Sequence, residues 1–132
     1  MYRIGFYEDG QEREPVKEFI NELAIRTDKD SRVNIQKIYE YMAMLAEKGT
    51  YAGKPYVKYI TKGLWGLRPL RNRIFFFCFE GDTTVFLHHF VKKTKKTPRE
   101  EIQKAMKRTE QFRRMHDGRQ RKDSRYWQLL GR

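Results

Sequence analysis

Apolar residues recur along the chain with two distinct periods, and the switches between them mark the elements. Residues 2–7 mix β-branched and aromatic side chains and read as a first strand, stopped by Glu8-Asp9-Gly10. Pro15 suits a first helical turn, and Val16, Phe19, Ile20 and Leu23 then fall at i, i+3, i+4 and i+7. The polar stretch Thr27-Asp28-Lys29-Asp30 offers caps for a second helix running to about Lys48. Ile35, Ile38, Met42 and Leu45 form its inward stripe, and Gly49 is placed to end it.

Residues 51–62 are rich in Gly, Pro, Lys and Tyr and read as a loop, with a short extended piece at 56–60. Residues 64–70 read as a strand, in which Pro69 argues for an edge position or an early end. Residues 73–80, RIFFFCFE, are nearly all apolar, as a central strand covered by helices would be. Gly81-Asp82 turns the chain into a partner strand at 83–92, which makes a hairpin. Thr97-Pro98-Arg99-Glu100 then predicts a helix start with a capping box. Ile102, Met106, Thr109 and Phe112 give that helix a narrow apolar face, and Asp117-Gly118 breaks the pattern. The expected fold is α+β: a small antiparallel sheet with two N-terminal helices packed on it and a basic C-terminal helix. Residues 1–114 form the expected domain. Residues 115–132 are a basic extension whose Tyr126, Trp127, Leu129 and Leu130 would dock as a short helix or bind a partner.

Charge changes the picture because of where it lies. The 132 residues carry a formal net charge of +12. Residues 1–91 contribute only +2 of it, and residues 92–132 contribute +10. A field concentrated at one end is the footprint of a polyanion binder, although a basic tail that only aids solubility has the same composition. The single cysteine, Cys78, excludes an internal disulfide and a multi-cysteine zinc site, and among phenylalanines it reads as a buried small hydrophobe. No apolar run approaches the length of a membrane span, and the first residues lack the apolar middle of a signal peptide. Cytoplasmic residence and no membrane partner are the expectations.

The candidate chemistry is cationic. The chain has no Walker loop and no dinucleotide glycine fingerprint, and Gly63 and Gly66 are too sparse for a phosphate cradle. Adjacent His88 and His89 point to opposite faces of a strand and cannot easily share a metal, so no metal or other cofactor is expected. Arg68 and Arg73 sit on neighbouring predicted strands, a few residues either side of a turn, where their side chains can lie close together. A guanidinium fork suits phosphate oxygens, and surface pairing with Glu or Asp is the other reading. Alternation groups Val85, Leu87, His89 and Val91 on one face and Phe86, His88, Phe90 and Lys92 on the other. One imidazole would face the helices, and the other the open side, where it could move protons. Lys92, Lys93, Lys95 and Lys96 leave the strand directly before a helix start, which favours an anion site over a merely solvated run. A lysine crowded by cations can also act as a base.

Three stretches together carry a family likeness. Leu64-Trp65-Gly66-Leu67-Arg68, then Arg73-Ile74-Phe75-Phe76-Phe77, then LHHFVKKTKKTP over residues 87–98 resemble the HigB-like, phage-derived branch of the RelE/ParE toxin superfamily. Ala105 and Arg108 match its following helix, and the resemblance covers about residues 1–114. It implies a RelE-like fold and a metal-independent messenger-RNA endoribonuclease, commonly acting on the ribosome, in which a ribose 2′-OH attacks the adjacent phosphate. By that match Arg68 and Arg73 would hold the scissile phosphate. Lys92 or Lys93 would add charge or serve as base, and His88 would be an acid/base candidate. Lys95, Lys96 and Arg108 would contact RNA. Gly66 stands where the pattern has glutamate, His89 where it has a small residue, and Phe77 near a position that often carries tyrosine. The resemblance also implies a helix-turn-helix antitoxin, HigA-like, as partner. Two other readings compete: a ParE-like gyrase poison on the same fold, and a nucleic-acid-binding module without catalysis.

Overall fold

The computed structural model describes residues 1–119, with side chains through residue 116. Its order is β1 (Arg3–Phe6), α1 (Pro15–Ala24), α2 (Lys29–Lys48), a 3₁₀ turn (Gly49–Ala52), β2 (Val57–Thr61), β3 (Leu64–Leu67), β4 (Asn72–Phe79), β5 (Thr83–Val91) and α3 (Arg99–Arg119). The strands form one sheet ordered β1-β5-β4-β3-β2. All neighbours are antiparallel except β1, which runs parallel to β5. This is the expected α+β arrangement with one strand more, because the short extended piece expected at 56–60 is a paired strand of the sheet, β2. Tyr56, in the turn just before β2, is tied to the end of β3: the Arg68 amide donates to the Tyr56 carbonyl at 2.9 Å.

Helices cover both faces of the sheet. On one side Val16 and Ile20 of α1 and Ile38 and Leu45 of α2 pack on Leu67, Ile74, Phe76 and Phe86. On the other, Ala105 and Phe112 of α3 pack on Phe75, Phe77, Phe79, Val85 and Leu87. Burial on both faces explains why β4 reads as an apolar run and not as an alternation. The exception corrects an expectation: Cys78 is exposed, not buried. It points away from Phe77 and Phe79, beyond Phe76, the last β4 side chain under α1 and α2.

The caps agree with the sequence in kind. Asp28 accepts from the Ser31 amide at 3.0 Å and opens α2. Gly49 ends it with φ +59°, and a Cβ there would lie 2.6 Å from the Tyr2 ring. Gly49→Ala is therefore expected to lower stability by about 1–2 kcal/mol in urea titrations. The third helix starts at Arg99, one residue after the predicted first helical position, with the Pro98 carbonyl accepting from the Glu101 amide at 3.1 Å. It continues past Asp117-Gly118 to Arg119. Buried Phe112 and His116 stack on one another at 3.8 Å and meet Phe79 edge-on, which carries the packed face one turn past Phe112. The expected docking segment at Tyr126, Trp127, Leu129 and Leu130 lies outside the described residues.

One irregularity decides where the histidines point. Phe75 pairs with His88, but Phe76 pairs with Phe86, so Leu87 is an extra residue on β5. A one-residue bulge reverses the facing of everything after it. Leu87 and His88 consequently lie on the same side, toward α3, and His89 turns toward α1. The alternation read straight through the strand, which joined Phe86 with His88, fails at this bulge. The carbonyl it leaves unpaired is taken by Arg108, whose Nη1 donates to Leu87 O at 2.8 Å.

Candidate functional site

Neither histidine faces an open side. His88 is buried, and its Nε2 donates to Glu101 Oε1 at 2.7 Å, fastening the first turn of α3 to β5. Burial pushes its pKa down, and the Glu101 hydrogen bond and charge oppose that shift. His89 stacks on Phe19 at 3.6 Å and donates from Nε2 to Asn72 Oδ1 at 2.9 Å. Asn72 in turn donates to Asn34 Oδ1 of α2 at 2.8 Å. Burial, with a smaller contribution from neighbouring His88, lowers the His89 pKa to about 4.

The cations converge elsewhere, at the end of the sheet where β4 begins and β5 ends. On β4, Arg73 shares its face with Phe75 and Phe77, the face that α3 covers farther along. Its Nη1 donates to Leu70 O and Asn72 O, both at 2.8 Å, so the turn between β3 and β4 anchors one corner of the guanidinium. No hydrogen bond from the described residues engages its Nε or Nη2. Leu70 holds φ +56° in this turn, a left-handed conformation that non-glycine residues adopt at some cost. Burial lowers the Arg73 pKa, and the like charge of Arg68 lowers it further, while Tyr41 of α2 opposes. Lys92 is lowered by partial burial first, then by Arg73, Lys58 and Arg68. These four cations come from β2, the end of β3, the start of β4 and the exit of β5, and they share one field.

The lysine run joins them through the backbone. The Lys92 amide donates to the Arg71 carbonyl at 2.8 Å. Arg71, Arg73, Lys92, Lys93, Thr94 and Lys95 line a single open groove. Among the described residues none of its cations, nor Arg68 or Lys58, pairs with a carboxylate. Gly66 lies in register between Lys58 and Phe75. A glutamate there would set a carboxylate among the cations, and glycine withholds it. Exposed, like-charged and unneutralised side chains in one groove raise each other's energy and favour an anionic ligand.

Of the residues singled out in the sequence, Arg68, Arg73, Lys92, Lys93 and Lys95 are thus brought together. Lys96 is exposed and outside the groove. His88 and Arg108 belong to the contact between α3 and the sheet, where Arg108 also lies over the Tyr7 ring at 5.0 Å. The α3 start carries Glu100 and Glu101, which complement its own dipole and leave the lysines to the groove. Sequence reasoning missed Lys58, Arg71 and Tyr41. Alternation in VKYIT was the available signal for Lys58, masked by the Gly- and Pro-rich residues before it. Nothing in the sequence places Tyr41 near Arg73, because that proximity depends on how α2 crosses the sheet.

No helix among the described residues is long and apolar enough to cross a membrane. Nor, among them, do three His, Cys, Asp or Glu side chains group to hold a metal ion. No curated protein matches the chain. A family model described as "Phage derived protein Gp49-like (DUF891)" matches residues 18–110, more than half of the chain and every member of the cationic cluster. The protein with this groove accordingly belongs to the Gp49-like phage-derived family, a RelE/HigB-like toxin family.

Proposed function

We propose that the protein is the toxin of a type II toxin–antitoxin pair, of the HigB-like kind, and that it cleaves messenger RNA at the cationic groove, on the ribosome. The observation that carries this reading is the convergence of Arg68, Arg73, Lys92 and Lys58 in one field without a carboxylate partner among the described residues. In the reaction the ribose 2′-oxygen attacks phosphorus and the bond to the 5′-oxygen breaks. The products are a 2′,3′-cyclic phosphate and a 5′-hydroxyl, the departing 5′-oxygen taking its proton from water in the open groove. Negative charge builds on the phosphorane oxygens, where the free edges of two guanidinium groups stabilise it. Lys92, with its lowered pKa, takes the 2′-hydroxyl proton, and Lys93 adds charge beside it. His88 is less well placed for proton transfer, since its Nε2 is committed to Glu101. Its part is to hold α3 against the strand that delivers Lys92. A helix-turn-helix antitoxin with an acidic segment would suit the groove as inhibitor.

The test is product chemistry. Purified protein is incubated with a defined messenger in a translation mixture and with naked RNA. Cleavage leaving a cyclic phosphate, and none where a single 2′-deoxy nucleotide replaces the attacking ribose, is the expected result. RNA binding with no product would leave the non-catalytic module. Intact RNA with loss of DNA supercoiling would instead favour a gyrase poison.

A further inference from the structure

Beside Arg68 lies a second groove, whose rings stand on the α2-side face of the sheet. Lys54, Lys58, Tyr59, Trp65 and Arg68 line it, with Val57 among them. Tyr59 on β2 and Trp65 on β3 are directly opposite in register. Their rings meet edge to face with centroids 5.2 Å apart. Tyr59 is 51% exposed, although its neighbour Val57 on the same face is buried in the α2-side core. The Tyr59 hydroxyl accepts from the Gly63 amide at 3.0 Å, so the ring is held in place while remaining open to solvent. No acidic residue lines the groove, and each of its charged groups is a cation. Arg68 is common to this groove and to the field around Arg73 and Lys92.

Fixed aromatic faces beside cations are the two components that unpaired nucleic acid requires. The cations track the backbone, and the rings accept a base that has no neighbour of its own. A duplex cannot use such a surface, because its bases are already stacked. We infer that Tyr59 and Trp65 form a base-stacking subsite for an unpaired nucleotide flanking the phosphate held by Arg68 and Arg73. This inference rests on the RNA-cleavage reading and adds the path of the strand: from the lysine groove and Arg73 on the α3-side face, past Arg68 at the end of β3, to the rings on the α2-side face. Every base has a π face, so the subsite tolerates any base and selects for single-strandedness.

The experiment uses the full chain and a single-stranded 2′-O-methyl RNA of about ten nucleotides, which cannot be cleaved. The chain has two tryptophans, so Trp127→Phe leaves Trp65 as the only indole. RNA should quench its emission. Tyr59→Ala should weaken binding about tenfold, and Tyr59→Phe, which keeps the ring, should recover it to within about twofold. Thermal melts establish that each variant is folded. An abasic nucleotide at the flanking position should erase the difference between Tyr59 and Ala. Unchanged binding by Tyr59→Ala, with Arg73→Ala still defective, overturns the subsite and leaves the phosphate site standing. Failure of the parent protein to bind the RNA, or tighter binding to duplex than to single strand, overturns the subsite together with the reading it rests on.

Discussion

Arg73→Ala is expected to lower RNA cleavage about 10²–10³-fold, the usual consequence of removing one donor aimed at developing charge. The residue is half-buried, and its anchored Nη1 leaves the rest of the fork pointing into the groove. Arg73→Lys should recover little of the activity. An ammonium is a point charge on a flexible stem and lacks the planar fork that lets one nitrogen hold the carbonyls while the others face a phosphate. Arg68→Ala should fall in the same range, and the double variant should cost less than the product of the two, because both arms grip one group. A second readout separates charge from simple loss of binding. Arg73 is among the causes that lower the Lys92 pKa. Its removal lets that pKa rise, so the increase of single-turnover rate with pH should move to higher pH in the variant. A profile that loses amplitude without moving would remove Lys92 from the role of base.

The second large effect is on stability in acid. His89 has a pKa of about 4 in the folded chain against an ordinary value of 6.5. Between those values the unfolded chain binds a proton that the folded chain refuses, so stability rises with pH through this window. The contribution is complete above pH 6.5 and drains away as pH falls toward 4, by roughly 3 kcal/mol. Burial of His88 works in the same direction, with Glu101 resisting it. Urea titrations from pH 7 to pH 4 should show the loss. His89→Gln can still donate to Asn72 but cannot take up a proton, and should flatten most of it. An unchanged slope in that variant would show that His89 is not the group responsible.

Much of this fold was legible because local rules and tertiary packing agree. The stripes of α1 and α2 were visible at helical spacing, and Val16, Ile20, Ile38 and Leu45 are the residues the core buries. On β4 an unbroken apolar run from Ile74 to Phe77 already marked a central strand under helices, and the structure adds that helices cover both of its faces. Three features were not legible. A bulge adds one residue without any required residue type, so Leu87 gave no warning and Phe86 was grouped with His88. One histidine does face helices as expected, and the other faces helices too, not an open side. The extended piece at 56–60 was legible, but not that it pairs into the sheet as β2 and brings Lys58 and the exposed ring of Tyr59 to the site. Cys78 is exposed because helix cover stops short of it, which is a matter of where α1 and α2 cross and not of its neighbours in sequence. The proximity of Arg68 and Arg73 was legible, since two residues flanking a short turn on adjoining strands have little freedom to part. Which groups oppose or support them was not, because Tyr41 and Lys58 arrive from elements far away in the chain.

The central claim is that Arg68, Arg73 and Lys92, from three neighbouring strands, converge on one RNA phosphate. A crystal structure of the full chain with a 2′-O-methyl RNA tests it most directly. The expected result is a phosphate within hydrogen-bonding distance of both Arg68 and Arg73, with the Lys92 ammonium beside it. RNA lying instead along the basic side of α3, over Lys104 and Lys107, with Arg68 and Arg73 contacting none of it, would contradict that claim.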